Sequence, residues 1–158
     1  IGLALRKAGG GRVLSLEHDE VYATRTSENL ALYGLGDFTR VIHSPLEEIS
    51  IGKASHLWYD LSVLEEGLPR IDMLIIDGPP GKTQPQARYP ALPLLADRLH
   101  EEAVILLDDG KRHDEKLIVQ RWSEDHPGLM ALKIDTEKGA FMIQKVGGGP
   151  PRMSSRIP

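Results

Sequence analysis

The sequence predicts an α/β protein built on a mostly parallel sheet, with an antiparallel pair of strands at its carboxyl end. Short apolar segments, typical of strands buried in a parallel sheet covered on both faces, alternate along the chain with segments of helical periodicity. The last two apolar segments are separated only by the turn Thr136-Glu137-Lys138-Gly139, and so short a turn can join only antiparallel strands. The length of 158 residues fits one domain with one core.

In the first half of the chain, glycines and a capping acid mark the ends of the predicted elements. Gly9 and Gly34 are predicted to end helices, and Asp19 can cap the helix that follows it. The predicted elements are a helix over 1–9, a strand over 12–17, a helix over 20–34, a strand over 39–44, and a helical turn with a loop over 45–68.

In the second half, apolar spacing separates strands from helices. Leu92, Leu95 and Leu99 recur at helical spacing, and Leu117, Ile118, Arg121 and Trp122 form one stripe of a later helix. The predicted elements are a strand over 71–77, a helix over 89–100, a strand over 103–109, a helix over 113–125, and strands over 129–135 and 139–146. We therefore expect one domain over 1–146 and a disordered Gly/Pro/Ser-rich tail over 147–158.

Composition limits the classes of function. The net charge of -4 argues against a nucleic-acid-binding face. The absence of cysteine excludes a disulfide framework, a zinc-thiolate site and a thiol nucleophile. No apolar run approaches the length of a membrane span, and the first residues lack the order of a signal peptide. We expect a cytoplasmic protein with a small-molecule substrate, without nucleic-acid or membrane partners, and a homo-oligomer is compatible with this composition.

Candidate site residues follow the predicted strands, because ligands of open α/β sheets bind beyond the carboxyl ends of the strands. Glu17 is suited to accept hydrogen bonds from both hydroxyls of a ribose, and the weaker alternative is an exposed acid after a strand. Asp77 can bind a ligand or start a turn, and Asp109 can bind a ligand or cap the next helix. The clusters to inspect are Glu17-His18-Asp19, Ser44-Pro45-Leu46, Asp77-Gly78-Pro79-Pro80 and Asp108-Asp109.

The segment Gly78-Pro79-Pro80-Gly81-Lys82-Thr83 imitates the phosphate loop of nucleotide triphosphatases. The true motif needs a glycine at position 76, where this chain has Ile76, and Pro85 follows too soon for a regular helix opening at Lys82. A nucleotide triphosphatase is therefore the weaker alternative.

A family resemblance accounts for the order of these elements. "RVLSLEHDEVYATRTSENLALYGL", "RVIHSPLEEI", "IDMLIIDGPPG", "AVILLDDGKRHDE" and "GAFMIQK" together resemble the class I S-adenosylmethionine-dependent methyltransferases. The likeness is strongest to the small bacterial group related to catechol O-methyltransferase. It covers the chain up to about residue 146 and implies a Rossmann-like methyltransferase sheet.

The resemblance also implies roles for single residues. Glu17 resembles the ribose-binding acid, and His18 a residue near the adenosine. Ser44 and Leu46 resemble the residues that flank the adenine. Asp77 resembles a residue that faces the methyl donor, and Asp77 or Asp108 is expected to accept a proton. In the catechol-type branch, the positions of Asp77, Asp108 and Asp109 supply magnesium ligands, and oxygen ligands suit Mg²⁺.

Two departures from the family qualify these expectations. The branch's general-base lysine is not matched, because Pro80 stands at about its place and Lys82 is displaced. The family's first strand and its glycine-rich turn, which contacts the methionine moiety, have no counterpart before Ile1. We therefore expect an amino-terminally incomplete sheet, with a gap between the strands that end at Glu17 and Asp77. The chain as given is expected to bind S-adenosylmethionine poorly.

The resulting hypothesis is methyl transfer from S-adenosylmethionine to an oxygen or nitrogen atom of a small molecule. The alternative is a catalytically inert domain that keeps the fold and only binds or assembles. Arg88-Tyr89 and Arg112-His113 are predicted to line a substrate entrance or to be solvated surface. The sequence does not identify the methyl acceptor.

Overall fold

The computed structural model describes residues 1–64 and 69–145, and these fall in two compact units that divide after residue 67. The predicted tail over 147–158 lies outside the described residues, and one domain over 1–146 stays a prediction. None of the described helices is both long and apolar enough to cross a membrane. The elements are α1 (Gly2–Ala8), β1 (Val13–Glu17), α2 (Glu20–Leu32), β2 (Thr39–His43), β3 (Leu46–Ile51), β4 (Ala54–Tyr59), β5 (Ile71–Ile76), α3 (Ala91–Leu95), β6 (Leu99–Asp108), α4 (His113–Asp125), β7 (Leu129–Ile134) and β8 (Ala140–Lys145).

The first unit contains a parallel pair of strands, β1 and β2. As predicted, α1 ends at Gly9, whose φ of 76° places it in the left-handed region that glycine adopts freely. The side chain of Asp19 accepts hydrogen bonds from the N–H groups of Val21 and Tyr22, so the predicted cap of α2 is confirmed. These two signals fix where the chain enters and leaves β1.

The segment after β2 differs from the prediction. Residues 46–59 form an antiparallel hairpin, β3 and β4, in place of the helical turn expected around Trp58-Tyr59-Asp60. Gly52, with a φ of 60°, and Lys53 make its two-residue turn, which is the connection that suits the twist of paired strands. A short 3-10 helix does follow, at Leu61–Val63.

The second unit contains a four-stranded sheet in the order β5-β6-β8-β7. Strands β5 and β6 are parallel, whereas β8 is antiparallel to both of its neighbours, as predicted for the last pair. Helix α3 is shorter than expected over 89–100, because Leu99 already pairs with Ile71 as the first residue of β6. Helix α4 has the predicted bounds of 113–125.

The core of the second unit lies on one face of this sheet. Ile105, Leu107 and Ile143 are buried there, and Ile118 and Trp122 of α4 are buried as well. The register places Ile75, Leu106, Met142 and Leu132 in one row on the opposite face. Ile75 and Leu132 in that row are 40% and 55% exposed, so the predicted cover on both faces is wrong for this part of the sheet.

Candidate functional site

Glu17 ends β1 with its carboxylate held in place by its neighbours. Oε1 accepts a hydrogen bond from the Asp19 N–H at 2.9 Å and lies 3.0 Å from Nδ1 of His18. About a third of the Glu17 side chain is exposed to solvent (32%). Since both of these contacts use Oε1, the other carboxylate oxygen can accept hydrogen bonds from a ligand.

His18 connects Glu17 to the hairpin. Its ring lies edge-on to that of Tyr59, with a centroid distance of 6.3 Å, and its backbone carbonyl lies 3.2 Å from Nε2 of His43. The imidazole itself is oriented from two sides, by Tyr59 and by the Glu17 carboxylate. Its predicted place near an adenosine stays a prediction.

Ser44 and Leu46, the predicted adenine-flanking residues, differ in accessibility. Ser44 is fully buried, and its Oγ donates a hydrogen bond to the carbonyl of Asp60 at 2.8 Å. Its N–H donates to the carbonyl of Glu17, also at 2.8 Å. Leu46 is half-buried and pairs with Tyr59. The Ser44 side chain thus positions the end of β2, and of this pair only Leu46 offers a side chain to a ligand.

The carboxylates of Asp77, Asp108 and Asp109 converge beyond the ends of β5 and β6 in the second unit. One oxygen of each lies within 4.8 Å of the others. Successive side chains of a regular strand point to opposite faces, but Asp109 leaves β6 with a φ of 58°. Aspartate tolerates this left-handed conformation, and it brings the Asp109 side chain beside that of Asp108. The three carboxylates thus lie close together, and Asp109 does not cap α4, whose N-cap residue is Arg112.

Arg88 lies at the centre of these carboxylates. Its Nη2 is 2.8 Å from Oδ2 of Asp109 and 3.3 Å from Oδ1 of Asp77. The guanidinium also donates to the carbonyls of Asp77, at 3.1 Å, and Asp108, at 3.0 Å. Only 3% of Arg88 is exposed, and Tyr89 is buried too. The prediction that they line an entrance or form solvated surface was wrong.

Helix α4 holds the segment that carries Arg88. Asp114 Oδ2 accepts a hydrogen bond from the Gln86 N–H at 2.9 Å, and Trp122 Nε1 donates to the Tyr89 carbonyl at 3.0 Å. Glu115 of the same helix is 3% exposed and lies 3.5 Å from Nη1 of Arg88. Glu115 was not among the predicted site residues, although it lies on the same stripe of α4 as Ile118 and Trp122, three and seven residues further on.

Burial is the main cause of the electrostatic shifts in this cluster. It raises the pKa of the Asp77 carboxyl above its ordinary value; Arg88 opposes this, and the negative charges of Asp108 and Asp109 add to it. Burial likewise raises the pKa of Glu115, against the opposing charges of Arg88 and Arg112. Asp77, which is 69% exposed, is therefore an accessible carboxylate suited to take up a proton.

We expect Asp108→Asn to lower the pKa of the Asp77 carboxyl, because it removes a nearby negative charge that disfavours ionisation. NMR titration of the carboxyl carbon measures this directly. Asp72→Asn, at an exposed position on β5, is the matched control and should leave that pKa unchanged. Because the folded-state pKa is raised, Asp77 should contribute less stability as the pH rises from the ordinary aspartate range through the raised value. An Asp77 pKa that Asp108→Asn leaves unchanged would contradict the first expectation, and an Asp77 pKa below the ordinary range would contradict the second.

The contacts that the three carboxylates already make decide how well they fit the predicted magnesium ion. Three carboxylates within reach of one another are the ligand type that Mg²⁺ uses. Here, however, Oδ2 of Asp109 is shared by the guanidinium groups of Arg88 and Arg112, at 2.8 and 2.9 Å, and Oδ1 of Asp77 also contacts Arg88. A fixed positive charge already lies among the ligands, so these residues fit a magnesium ion poorly.

The segment that imitates a phosphate loop has no helix where that motif requires one. From Gly78 to Pro90, all described, the chain forms turns, and α3 begins only at Ala91. The Thr83 N–H donates to the carbonyl of Pro80 at 2.9 Å and so belongs to a local turn. This geometry disfavours phosphate binding at Lys82.

Several solved structures that share this arrangement of elements are methyltransferases. An O-methyltransferase from Bacillus cereus in complex with SAH superposes with a TM-score of 0.57 at 20% identity, covering 86% of this chain and 63% of that one. A methyltransferase from Geobacter sulfurreducens gives 0.59 at 14% identity, covering 85% and 58%. An SAH-bound methyltransferase from Podospora anserina gives 0.54 at 14% identity, covering 85% and 60%. The chain has the fold of the class I S-adenosylmethionine-dependent methyltransferases.

At these identities the likeness establishes the methyltransferase fold alone. The matched part of the chain spans only 60% of the length of the Podospora anserina methyltransferase. No family model matches the chain, and no curated protein matches it in sequence. The roles of single residues therefore depend on the geometry described above.

Proposed function

We propose that this protein transfers a methyl group from S-adenosylmethionine to an oxygen or nitrogen atom of a small molecule. Glu17 carries the proposal, because its carboxylate is fixed at the end of β1 with one oxygen available to a ligand. A ribose diol presents two adjacent hydroxyl donors, which one carboxylate can accept. The fold shared with SAH-bound methyltransferases supports the same cofactor.

The proposed step needs little covalent chemistry from the protein. S-adenosylmethionine supplies a methyl group on a positively charged sulfur, and the acceptor's lone pair forms the new bond to that carbon. The carbon–sulfur bond breaks, its electron pair stays on sulfur, and the acceptor's proton goes to a carboxylate. Asp77 suits that last role, since it is exposed and its pKa is raised. The remaining contribution is to orient the two reactants.

Glu17→Ala is expected to weaken SAH binding by roughly 1.5–3 kcal/mol, the usual worth of hydrogen bonds to a charged group. Glu17→Gln should lose most of the same free energy, because its amide keeps the shape but not the charge. Glu28→Ala, which removes an exposed acid of α2, is the matched control and should leave binding unchanged. Isothermal calorimetry on the protein expressed from its complete reading frame measures the SAH affinity of the unsubstituted form and of the three variants.

The same calorimetry separates the alternatives. SAH should bind in preference to ATP, because the Gly78–Gly81 loop is too short to wrap a triphosphate. Micromolar binding of ATP without response to SAH would contradict the proposal in favour of a nucleotide triphosphatase. Binding of neither compound would favour the inert domain. Where SAH binds, labelled S-adenosylmethionine with a panel of phenols, catechols and amines identifies the acceptor through its labelled product.

A further inference from the structure

Arg88 already contacts two of the three carboxylates between which a metal would lie. Nη2 of Arg88 contacts carboxylate oxygens of Asp77 and Asp109, and the guanidinium also binds the backbone carbonyls that end β5 and β6. One positive group thus touches the two strand ends as well as two of the three acids. Mg²⁺ would have to gain the same oxygens in near-ideal octahedral geometry.

The Arg88 side chain cannot readily turn away to admit such an ion. Ala87, Arg88, Tyr89 and Pro90 are all buried. Their backbone is held by α4 through the hydrogen bond from Trp122 Nε1 to the Tyr89 carbonyl. The hydroxyl of Tyr89 also donates to Asp125 Oδ2 at 3.0 Å. Moving the guanidinium to solvent would disrupt this packing and leave the buried Asp109 and Glu115 with only the half-exposed Arg112 as a cation.

The charges at this site are nearly balanced without a metal. Arg112 adds a second guanidinium on Oδ2 of Asp109, at 2.9 Å, and the positive charge of Lys138 acts on Asp77. A divalent ion placed beside a buried guanidinium would be repelled by it, and the low dielectric of the site strengthens that repulsion. Its binding would therefore be weak.

We propose that Arg88 is the resident cation of the Asp77–Asp108–Asp109 cluster and that it keeps a divalent metal out. This reverses the magnesium site implied by the family resemblance. The inference depends only on contacts inside this cluster, so it holds whether or not the protein transfers methyl groups.

Manganese, whose aqueous ion has a strong EPR signal that binding weakens, tests the proposal as a stand-in for Mg²⁺. The unsubstituted chain should bind Mn²⁺ no more tightly than about 1 mM, the weak end of protein oxygen sites. Arg88→Met should bind it at least about tenfold more tightly, because the repelling charge is gone. Arg88→Lys keeps the charge and Arg112→Met keeps Arg88, so both controls should stay weak.

Two results of the Mn²⁺ measurements would overturn the proposal. One is micromolar Mn²⁺ binding by the unsubstituted chain that Asp109→Asn abolishes. The other is a folded Arg88→Met chain that binds Mn²⁺ no better than the unsubstituted one. If Arg88→Met does not fold, the proposal is tested by the Mn²⁺ affinity of the unsubstituted chain alone. Millimolar Mg²⁺ should leave the carboxyl carbon resonance of Asp77 in place, and a saturable shift of it would refute the exclusion of metal.

Discussion

Arg88→Met is expected to lower the free energy of unfolding of the second unit by about 3–5 kcal/mol, the usual cost of removing one partner from a buried ion pair. The substitution keeps most of the side-chain volume but removes the charge that Asp109 and Glu115 share in the interior. It also leaves the carbonyls of Asp77 and Asp108 without the guanidinium as a donor. Both losses act in the same direction.

Urea unfolding measures this loss of free energy in a variant whose tryptophan fluorescence comes from one unit only. The chain has two tryptophans, Trp58 in the first unit and Trp122 in the second, so a Trp58→Phe background leaves fluorescence from the second unit alone. Arg112→Met is the matched control: Arg112 contacts the same Asp109 oxygen but is 52% exposed, so its loss should cost only about 0–1 kcal/mol. Equal costs for the two substitutions would show that burial of Arg88 contributes nothing.

Much of the fold could be predicted from the sequence because its signals are local. Gly9 ends α1 because it adopts a left-handed backbone conformation that few other residues adopt. Asp19 caps α2 because its side chain accepts hydrogen bonds from N–H groups of the first turn. The hairpin at 46–59 was missed for the opposite reason. Its strands carry polar residues such as Glu47 and Glu48, and they are stable only when paired. The two-residue turn at Gly52 was the available signal.

The residues of the candidate site likewise divide into those that the sequence predicts and those that it does not. Strand ends placed Asp77, Asp108 and Asp109 together, because parallel strands deliver their last residues to one edge of a sheet. Arg88 could not be placed, since its burial depends on α4, which follows β6 in the chain. An excess of acids at one edge does, however, require a cation, and Glu115 on the apolar stripe of α4 indicated a buried partner.

Trp122→Ala is expected to cost about 3–5 kcal/mol of unfolding free energy in the second unit. The indole is 1% exposed and is the largest side chain buried in α4, so alanine leaves a cavity under the sheet. It also removes the donor to the Tyr89 carbonyl, one residue from Arg88. Hydrogen exchange of the α4 and β6 amides measures the loss, and their protection should fall together.

Trp122→Phe separates the hydrogen bond from the packing, and the chain offers a matched comparison. Trp58 is also buried, at 4% exposure, but its Nε1 has no hydrogen-bond partner among the described residues, whereas Nε1 of Trp122 donates to Tyr89. Trp58→Phe should therefore lower the free energy of unfolding through lost packing alone. Trp122→Phe should lower it by about 1–3 kcal/mol more, which is the penalty for leaving a buried acceptor unsatisfied. In each variant the remaining tryptophan reports on the other unit, and circular dichroism in urea follows both units. The transition that dichroism shows and fluorescence does not is therefore that of the substituted unit. Equal costs for the two replacements would mean that the Trp122–Tyr89 bond does not hold the Arg88 segment against α4. Rigid placement of Arg88 would then have to come from the carboxylates and strand-end carbonyls alone.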